Sequence, residues 1–518
     1  MERFNNIKLT PDQTMDDLKR IVSKKMGIPA SQLRSFRIVK KSIDARNKSD
    51  IRVIYSVEAD TNPMSETATP TYPTVSAKER PVIAGFGPAG IFCALVLAKA
   101  GLKPIVLEKG DNMEARTQKV EAFWTTGVLD EESNVQFGEG GAGTFSDGKL
   151  TTLINSPLCA EVLRSFYLAG APEEILYLSK PHIGTDNLKK VVMNLRNQIQ
   201  DLGGEILFRT SVTDLETLNS SVRRVITNRG RAFFTDRLIL ATGHSGREIY
   251  RMLHRHGILM TPKAFSVGVR IEHEQRMINR SQYGRFAEHP NLPPAEYKLV
   301  YHAQSGRSAY TFCMCPGGVV VASSSEKGTI VTNGMSNFRR DGINANSALL
   351  VGVDPKDFGS EPLSGVAFQE QLERKAFELG RESYRAPCQR AEDFMRGRIS
   401  CSFSDIFPTY RPGITPADLN QLFPEAVSET LKSALLDMNR KLNGFLTPSA
   451  PLTGVESRTS APLRVERNEL YQSPSLKGLY PCGEGCGYAG GIMSAAVDGI
   501  RIARGIICEC DPNVNFES

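Results

Sequence analysis

Cysteines are few, long apolar runs are missing, and only one complete nucleotide-binding unit occurs; each shortage excludes something. Ten Cys in 518 residues are too sparse for a small disulfide scaffold. No C-x-x-C is present. Cys482, Cys486, Cys508 and Cys510 have spacings that fit no zinc pattern, and the nearest His in sequence is His302, so no metal is expected. The opening MERFNNIKLTPDQ has no apolar stretch of signal-peptide length, which predicts a cytoplasmic protein with reduced thiols. The uncharged run at 81–98 reaches the roughly 18 residues of a membrane span. However, Gly85, Gly87, Pro88 and Gly90 divide it into strand, turn and short helix, so no membrane partner is expected. With 40% hydrophobic and 23% charged residues, the chain is neither disordered, collagenous nor a coiled coil. No internal repeat is present.

Charge is unevenly spread. Residues 1–60 hold 13 Lys and Arg against 8 Asp and Glu, a net +5, while the rest of the chain comes to +1. A solvated face and an acidic partner, nucleic acid included, are the two readings of this basic head.

The periodicity predicts a small βαββ unit over 1–60. Its helix spans 14–26, with Met15, Leu18, Ile21 and Val22 on one face, and strands follow at 35–43 and 51–57. Residues 61–79, rich in Pro, Ser and Thr, read as a linker. Beyond it the order is strand 81–84, helix 89–100, strand 104–108, helix 185–202, strand 205–208 and strand 237–242. The middle differs: short β runs at 264–272, 296–302, 308–313 and 319–323 predict a mostly antiparallel sheet. Helices return at 368–380, 419–441 and 491–507. The expected fold is therefore α/β. A Rossmann-type nucleotide-binding unit (80–262 and 465–518) carries an inserted α+β substrate unit (263–464) and the small N-terminal domain.

The strongest motif is VIAGFGPAGIFCALVLAKAGLKPIVLEKG. Its G-x-G-x-x-G follows a strand, opens a helix and leads to a second strand ending in Glu108. Gly85 makes the tight turn, Gly87 admits a pyrophosphate and Gly90 allows close helix–strand packing. The helix N-terminus offers unpaired N–H groups to phosphate, and Glu108 can accept ribose hydroxyls. Two other stretches match the same spacing, at Gly138, Gly140 and Gly143 and at Gly485, Gly487 and Gly490. The first lacks a preceding strand and the second lacks a return strand with its acid. One dinucleotide fold is therefore expected, without a separate NAD(P)H domain.

The distant segments favour FAD over NAD as the bound nucleotide. LILATGHS brings Thr242 and Gly243 to a strand end, and GLYPCGEGCGYAGGIMSAAVDGI returns Glu484 and a Gly-opened helix. The helix dipole there would stabilise negative charge on a reduced ring. With GFGPAG, NVQFGEGGAGTFSDGKL, PHIGTDNL, AFSVGVRIEH, FCMCPGG and LTGVESRTSAPLR, nearly the whole chain resembles the bacterial FAD-dependent dehydrogenases. These are also called NAD(FAD)-utilising dehydrogenases, a largely uncharacterised family without a settled substrate. The resemblance implies a glutathione-reductase-type flavoprotein fold. It implies FAD contacts from Gly85, Phe86, Gly87, Pro88, Ala89 and Gly90, and from Glu108 and Lys109. It further implies Arg116, the loop of Gly140, Gly141, Ala142, Gly143 and Thr144, and the pair Thr242 and Gly243. Gly483, Glu484, Gly491 and Ile492 complete the set. Cys486 stands where the resemblance leads one to expect Ala.

Flavin performs the redox chemistry, so the protein's share is orientation, charge and exclusion of water. Candidate catalytic residues are Lys149, beside Ser146 and Asp147 in a Gly-rich loop, and His244 as a proton shuttle or a structural imidazole. Glu456 and Arg458 complete the set, the latter as a clamp on a substrate anion or a domain-closing ion pair. Cys313 and Cys315 read as core thiols or as a redox couple. The expected function is an FAD-dependent oxidoreductase acting on a small molecule, with NADH or NADPH as a candidate transient electron donor. The alternatives are a flavin enzyme without net redox turnover and an FAD-containing RNA- or partner-binding protein recruited through residues 1–60.

Overall fold

The computed structural model describes residues 1–63 and 70–516. Its centre is a five-stranded parallel sheet in the order Leu479–Pro481, Leu238–Leu240, Val82–Ala84, Ile105–Leu107 and Glu205–Leu207. The inner strands are apolar triplets (VIA, IVL, LIL) buried on both faces, as parallel sheets require. Alternation splits them. Ile83, Val106 and Ile239 pack against the helices Pro88–Lys99, Thr185–Asp201 and Ile492–Cys510. Val82, Ala84, Ile105 and Leu107 face the opposite layer, a three-stranded antiparallel meander over 212–234 and the helix Arg247–Arg255. The meander and this helix had no expectation in the sequence.

The uncharged run at 81–98 is thereby accounted for. Ala89 to Ala98 are all buried because this helix lies between the sheet and the closing helix Ile492–Cys510. Among the described residues no helix is long and apolar enough to cross a membrane. The two helices nearly touch at Gly499, where a Cβ would lie 2.2 Å from the Ala89 carbonyl oxygen.

The chain leaves this layer system at Met260–Pro262 and returns at Leu463–Val465, and these two segments pair antiparallel. Between them a seven-stranded sheet runs Val300–His302, Ser308–Cys315, Asn344–Val353, Phe265–Glu274, Pro451–Glu456, Ala386–Arg390 and Ile414–Pro416. Its last pair is parallel and all others antiparallel. On Phe265–Glu274, Phe265, Val267, Val269 and Ile271 join an apolar core shared with the helix Glu425–Lys441. The alternate residues, Arg270 and Glu272 among them, point to the other face. The expected helix over 419–441 is corrected. A 3₁₀ turn at Leu419–Gln421 precedes the helix, which begins only after Pro424; proline suits a helix start, not its interior. The β run expected at 296–302 shrinks to Val300–His302.

The head has strands Glu2–Leu9, Ser35–Asp44 and Arg52–Asp60 with Arg52–Asp60 central. Its helix Met15–Met26 is closed by a Thr14–Asp17 capping box and by Gly27 in the left-handed region. This unit does not stand apart. The Lys41 N–H donates to the Tyr177 carbonyl at 2.8 Å, and the Ser179 N–H donates to Lys41 at 2.9 Å. Arg285 donates to the Ser49 carbonyl at 2.8 Å, and Ile51 is buried in the core of the seven-stranded sheet. Residues 64–69 of the expected linker lie outside the described residues. The rest of it lies along the nucleotide unit as a strap: the Val75 N–H donates to Ala100 at 3.0 Å and Tyr72 donates to Glu161 at 2.5 Å.

The Gly499 contact generates a prediction. Gly499→Ala overpacks a backbone that cannot yield, so stability should fall by about 1–3 kcal/mol. Thermal unfolding of the two proteins measures this, and an unchanged midpoint contradicts the packing described.

Candidate active site

The two sheets enclose a cavity of about 1450 Å³. One end is built by the turn after Val82–Ala84. Gly85 has φ +101°, and a Cβ there would lie 2.4 Å from the Ala241 carbonyl oxygen; a Cβ on Gly90 would lie 2.0 Å from that of Gly85. Only glycine permits this approach. No side chain caps the helix that follows, and Pro88 occupies its first turn, so the first-turn N–H groups are directed at the cavity end. Phe86, Gly87, Pro88 and Ala89 are on the wall.

Glu108 also borders the cavity, but its carboxylate is mostly engaged. It accepts the N–H groups of Phe86 (2.8 Å), Gly110 (2.8 Å) and Gly138 (2.9 Å). A carboxylate offers about four lone-pair positions, which leaves one for an incoming hydroxyl. The acid therefore ties three loops together before it can touch a ligand. Lys109 is on the wall with its ammonium 2.8 Å from Glu248 and over the Phe137 ring.

Arg116 is corrected. It does not face the cavity; it is fully buried beneath the loop 134–141 and donates to the carbonyls of Asn134, Val135, Glu139 and Gly141 at 2.6–3.0 Å. Burial brings its pKa down to about 10, against the pull of Glu108 and Glu139. Its role is to shape the loop that presents Gly141, Ala142 and Gly143 to the cavity. Gly140 and Thr144 lie behind that wall. So does Gly483, whose N–H donates to Asp498 at 2.7 Å and whose Cβ position is 2.7 Å from the Ala89 Cβ. Thr242, Gly243, Glu484, Gly491 and Ile492 are on the wall.

His244 follows them. Ser245 Oγ donates to Gln136 Oε1 at 3.0 Å and lies 3.1 Å from His244 Nδ1. With the serine proton used on Gln136, Nδ1 is the donor and Nε2 carries the lone pair. Burial first, then Arg458 and Arg247, lower the imidazole pKa to about 4, so the ring is neutral at pH 7. Glu484 goes the other way: burial raises it to about 7 against the attraction of Lys263.

The remaining catalytic candidates all have partners, and for Arg458 the partner is the ion pair that stood beside the substrate clamp among its two readings. Glu456 receives Arg270 in a bidentate pair at 2.8 and 2.9 Å, and Arg270 also donates to Asn333 and Asn346. Arg458 is 2.7 and 2.9 Å from the carboxylate of Glu373. Arg247 grips the same carboxylate from the other side at 2.7 and 2.9 Å, and Ser457 adds a fifth bond at 2.7 Å. Lys149 donates to the Met314 carbonyl and sits 3.7 Å from Glu296. Arg458, Glu456 and Lys149 border the cavity, but their charges are already engaged. Sequence reasoning missed Arg247, Arg270, Glu373 and the buried Asp147–Arg340 pair. Only Arg270 gave a sequence signal, a charge inside the apolar run Phe265–Ile271; the others lie in polar stretches. Among the described residues no cluster of three or more His, Cys, Asp and Glu comes together as a metal site.

These walls suit a flavin dinucleotide. The glycine turn has room for backbone against phosphate, the adjoining helix end is uncapped, and one acid keeps a free lone pair. Three family models match the chain. "FAD-dependent protein, C-terminal domain-like" covers residues 264–459, "FAD dependent oxidoreductase" covers 178–346, and a domain of unknown function covers 1–60. They define a flavoenzyme: an oxidoreductase with FAD as its cofactor. An uncharacterised protein of Clostridium beijerinckii is 46% identical, the match covering 98% of this chain and 99% of that one. The chain belongs, with this relative, to the FAD-dependent oxidoreductase family. Among solved structures, a glycine oxidase of Bacillus cereus is 12% identical. It covers 85% of this chain and 96% of its own, with a TM-score of 0.33. A quinol fumarate reductase of E. coli is 12% identical, covers 86% and 72%, and has a TM-score of 0.39.

Two predictions follow from the buried acids. Glu373 is held below the ordinary carboxylate range: burial opposes this, but Arg247 and Arg458 outweigh it. A depressed pKa gives stability that is present above the unfolded value of 4.5 and lost as pH falls. Glu373→Gln should cost about 3–5 kcal/mol at pH 7 and lose less stability on acidification than the parent. Equal pH slopes in thermal unfolding contradict the assignment. Glu484 has the opposite sign. Its raised pKa makes the FAD-free protein lose stability as pH rises from about 4.5 through about 7. Glu484→Gln should flatten that decline, and an unchanged profile refutes the titration.

Proposed function

We propose that FAD spans the cavity with its ADP half on the Gly85–Gly90 turn and its ring toward Gly491, Ile492 and the seven-stranded sheet. The observation that carries this reading is a single cavity walled by both the nucleotide turn and the polar face of that sheet. At about 1450 Å³ it exceeds the roughly 300–1,000 Å³ of an ordinary ligand pocket, leaving space for a substrate beside the cofactor. In this reading 80–262 and 465–518 form the FAD unit and 263–464 the inserted substrate unit, on the glutathione-reductase-type plan.

Bound FAD supplies the transfer of two electrons and a proton. The chain's residues do the rest. The first-turn N–H groups of Pro88–Lys99 hold the pyrophosphate, and the free lone pair of Glu108 takes a ribose hydroxyl. His244 Nε2 accepts a hydrogen bond without adding charge. At the far wall, Lys149, Lys180, Lys298 and Arg340 are four cations against two anions, Asp147 and Glu296. That surplus favours a small anionic substrate. NADH or NADPH would enter the same cavity as a transient donor, and steady-state reduction with each tests this role.

The test separates the two ends. Glu108→Ala should weaken FAD by about 1.5–3 kcal/mol, roughly ten- to a hundredfold in Kd. Lys298→Ala should leave FAD binding unchanged and raise the KM of anionic substrates. FAD titration of apo-protein and anaerobic flavin reduction by carboxylate, amine and neutral compounds are the measurements. Equal FAD affinity in the two variants overturns the cofactor placement. Equal saturation by neutral and anionic compounds overturns the substrate class.

A further inference from the structure

The strand Ser308–Cys315 breaks register where it approaches the cavity. Phe312 pairs with Ala348 but Cys315 pairs with Asn346, so Cys313 and Met314 share the one position opposite Ser347. Cys313 takes φ +44°, a left-handed conformation that a side chain other than Gly, Asn or Asp rarely adopts. The bulge turns Cys313 onto the cavity wall, while Cys315 is fully buried behind it. The Cys315 thiol donates to the Cys313 carbonyl at 3.3 Å, which keeps the two cysteines side by side across the bulge.

The surroundings favour a thiolate. Arg270 donates to the Cys313 carbonyl at 3.1 Å, and Lys149 donates to that of Met314. The neighbouring Cys315 thiol first, then Arg270 and Lys149, lower the Cys313 pKa below the usual thiol range, against the effect of burial. Glu484, on the return loop from the parallel sheet, lines the same cavity as Cys313. A half-exposed thiolate with a second thiol in reach is the arrangement of exchange-competent cysteines.

We propose that Cys313 and Cys315 form a dithiol–disulfide couple that exchanges two electrons with the flavin. This rests on the ring lying in the shared cavity. In the oxidising direction both S–H bonds are lost and one Sγ–Sγ bond forms. The electron pair and one proton pass to oxidised FAD, and the second proton leaves through the cavity. In reverse, reduced flavin returns the pair and the bond breaks. The substrate class implied is a thiol or disulfide compound that exchanges with Cys313, the accessible member.

The experiment uses the holoenzyme. Thiols are tagged with a maleimide under denaturing conditions, after incubation with dithiothreitol or with oxidised glutathione, and counted by intact mass. All ten cysteines are free, so ten tags are expected from the reduced protein and eight from the oxidised one, with 313 and 315 as the missing pair. Anaerobic dithionite titration should take two electrons beyond those of the flavin, and Cys313→Ser should remove them. Ten tags under both conditions overturn the couple. Loss of two tags without the extra electrons overturns its contact with flavin. Cys313 is only half-buried, so its serine variant decides even where Cys315→Ser fails to fold. FAD retention, measured separately, distinguishes failure of the couple from failure of the cofactor placement.

Discussion

One buried carboxylate holds the two halves of this molecule around their common cavity. Glu373 comes from the helix Ser364–Leu379 above the seven-stranded sheet, Arg247 from the helix that follows the parallel sheet, and Arg458 from the end of Pro451–Glu456. Two guanidinium groups and a serine saturate it. Burying these charges is tolerable only because every partner is present; removing one would strand the others in a dry site. The pairing ties the helix after the parallel sheet to the inserted unit beside the cavity wall at Arg458. His244, three residues from Arg247, is kept neutral first by its burial and then by the same cations.

At the cavity's other end an acid gathers backbone instead of cations. Glu108 collects amides from three loops that share no local sequence, and Arg116 collects four carbonyls beneath one of them. The glycine turns would otherwise be slack, since each glycine lacks the side chain that limits its backbone. Buried charge thus supplies the rigidity that small residues give up for close approach.

This division explains what could be read from the sequence. The Gly85–Gly90 turn, the short apolar strands and the antiparallel middle are local patterns, so spacing and periodicity revealed them. The partners of Arg458 and Glu456 lie 85 and 186 residues away, and nothing in a linear string pairs them. Arg116 was misread because resemblance shows that a residue is needed without showing which way it faces. The meander over 212–234 was missed because its buried residues, Val212 and Leu215 on one strand and Val222 and Val225 on the next, recur every third position and not every second. Pro424 was a visible stop inside the expected 419–441 helix, and the apolar periodicity on either side outweighed it wrongly.

The docking of the N-terminal unit has a mechanical consequence. It grips the segment 177–179 that runs into the cavity wall at Lys180 and Pro181. Through Ile51 and the Arg285–Ser49 contact it also grips the inserted sheet. It is a cross-brace fastened to both jaws. Any hinge motion that widened the cavity would have to shear a backbone bridge and pull an isoleucine out of a core. Widening the cavity along this edge therefore costs the backbone bridge and the buried isoleucine together.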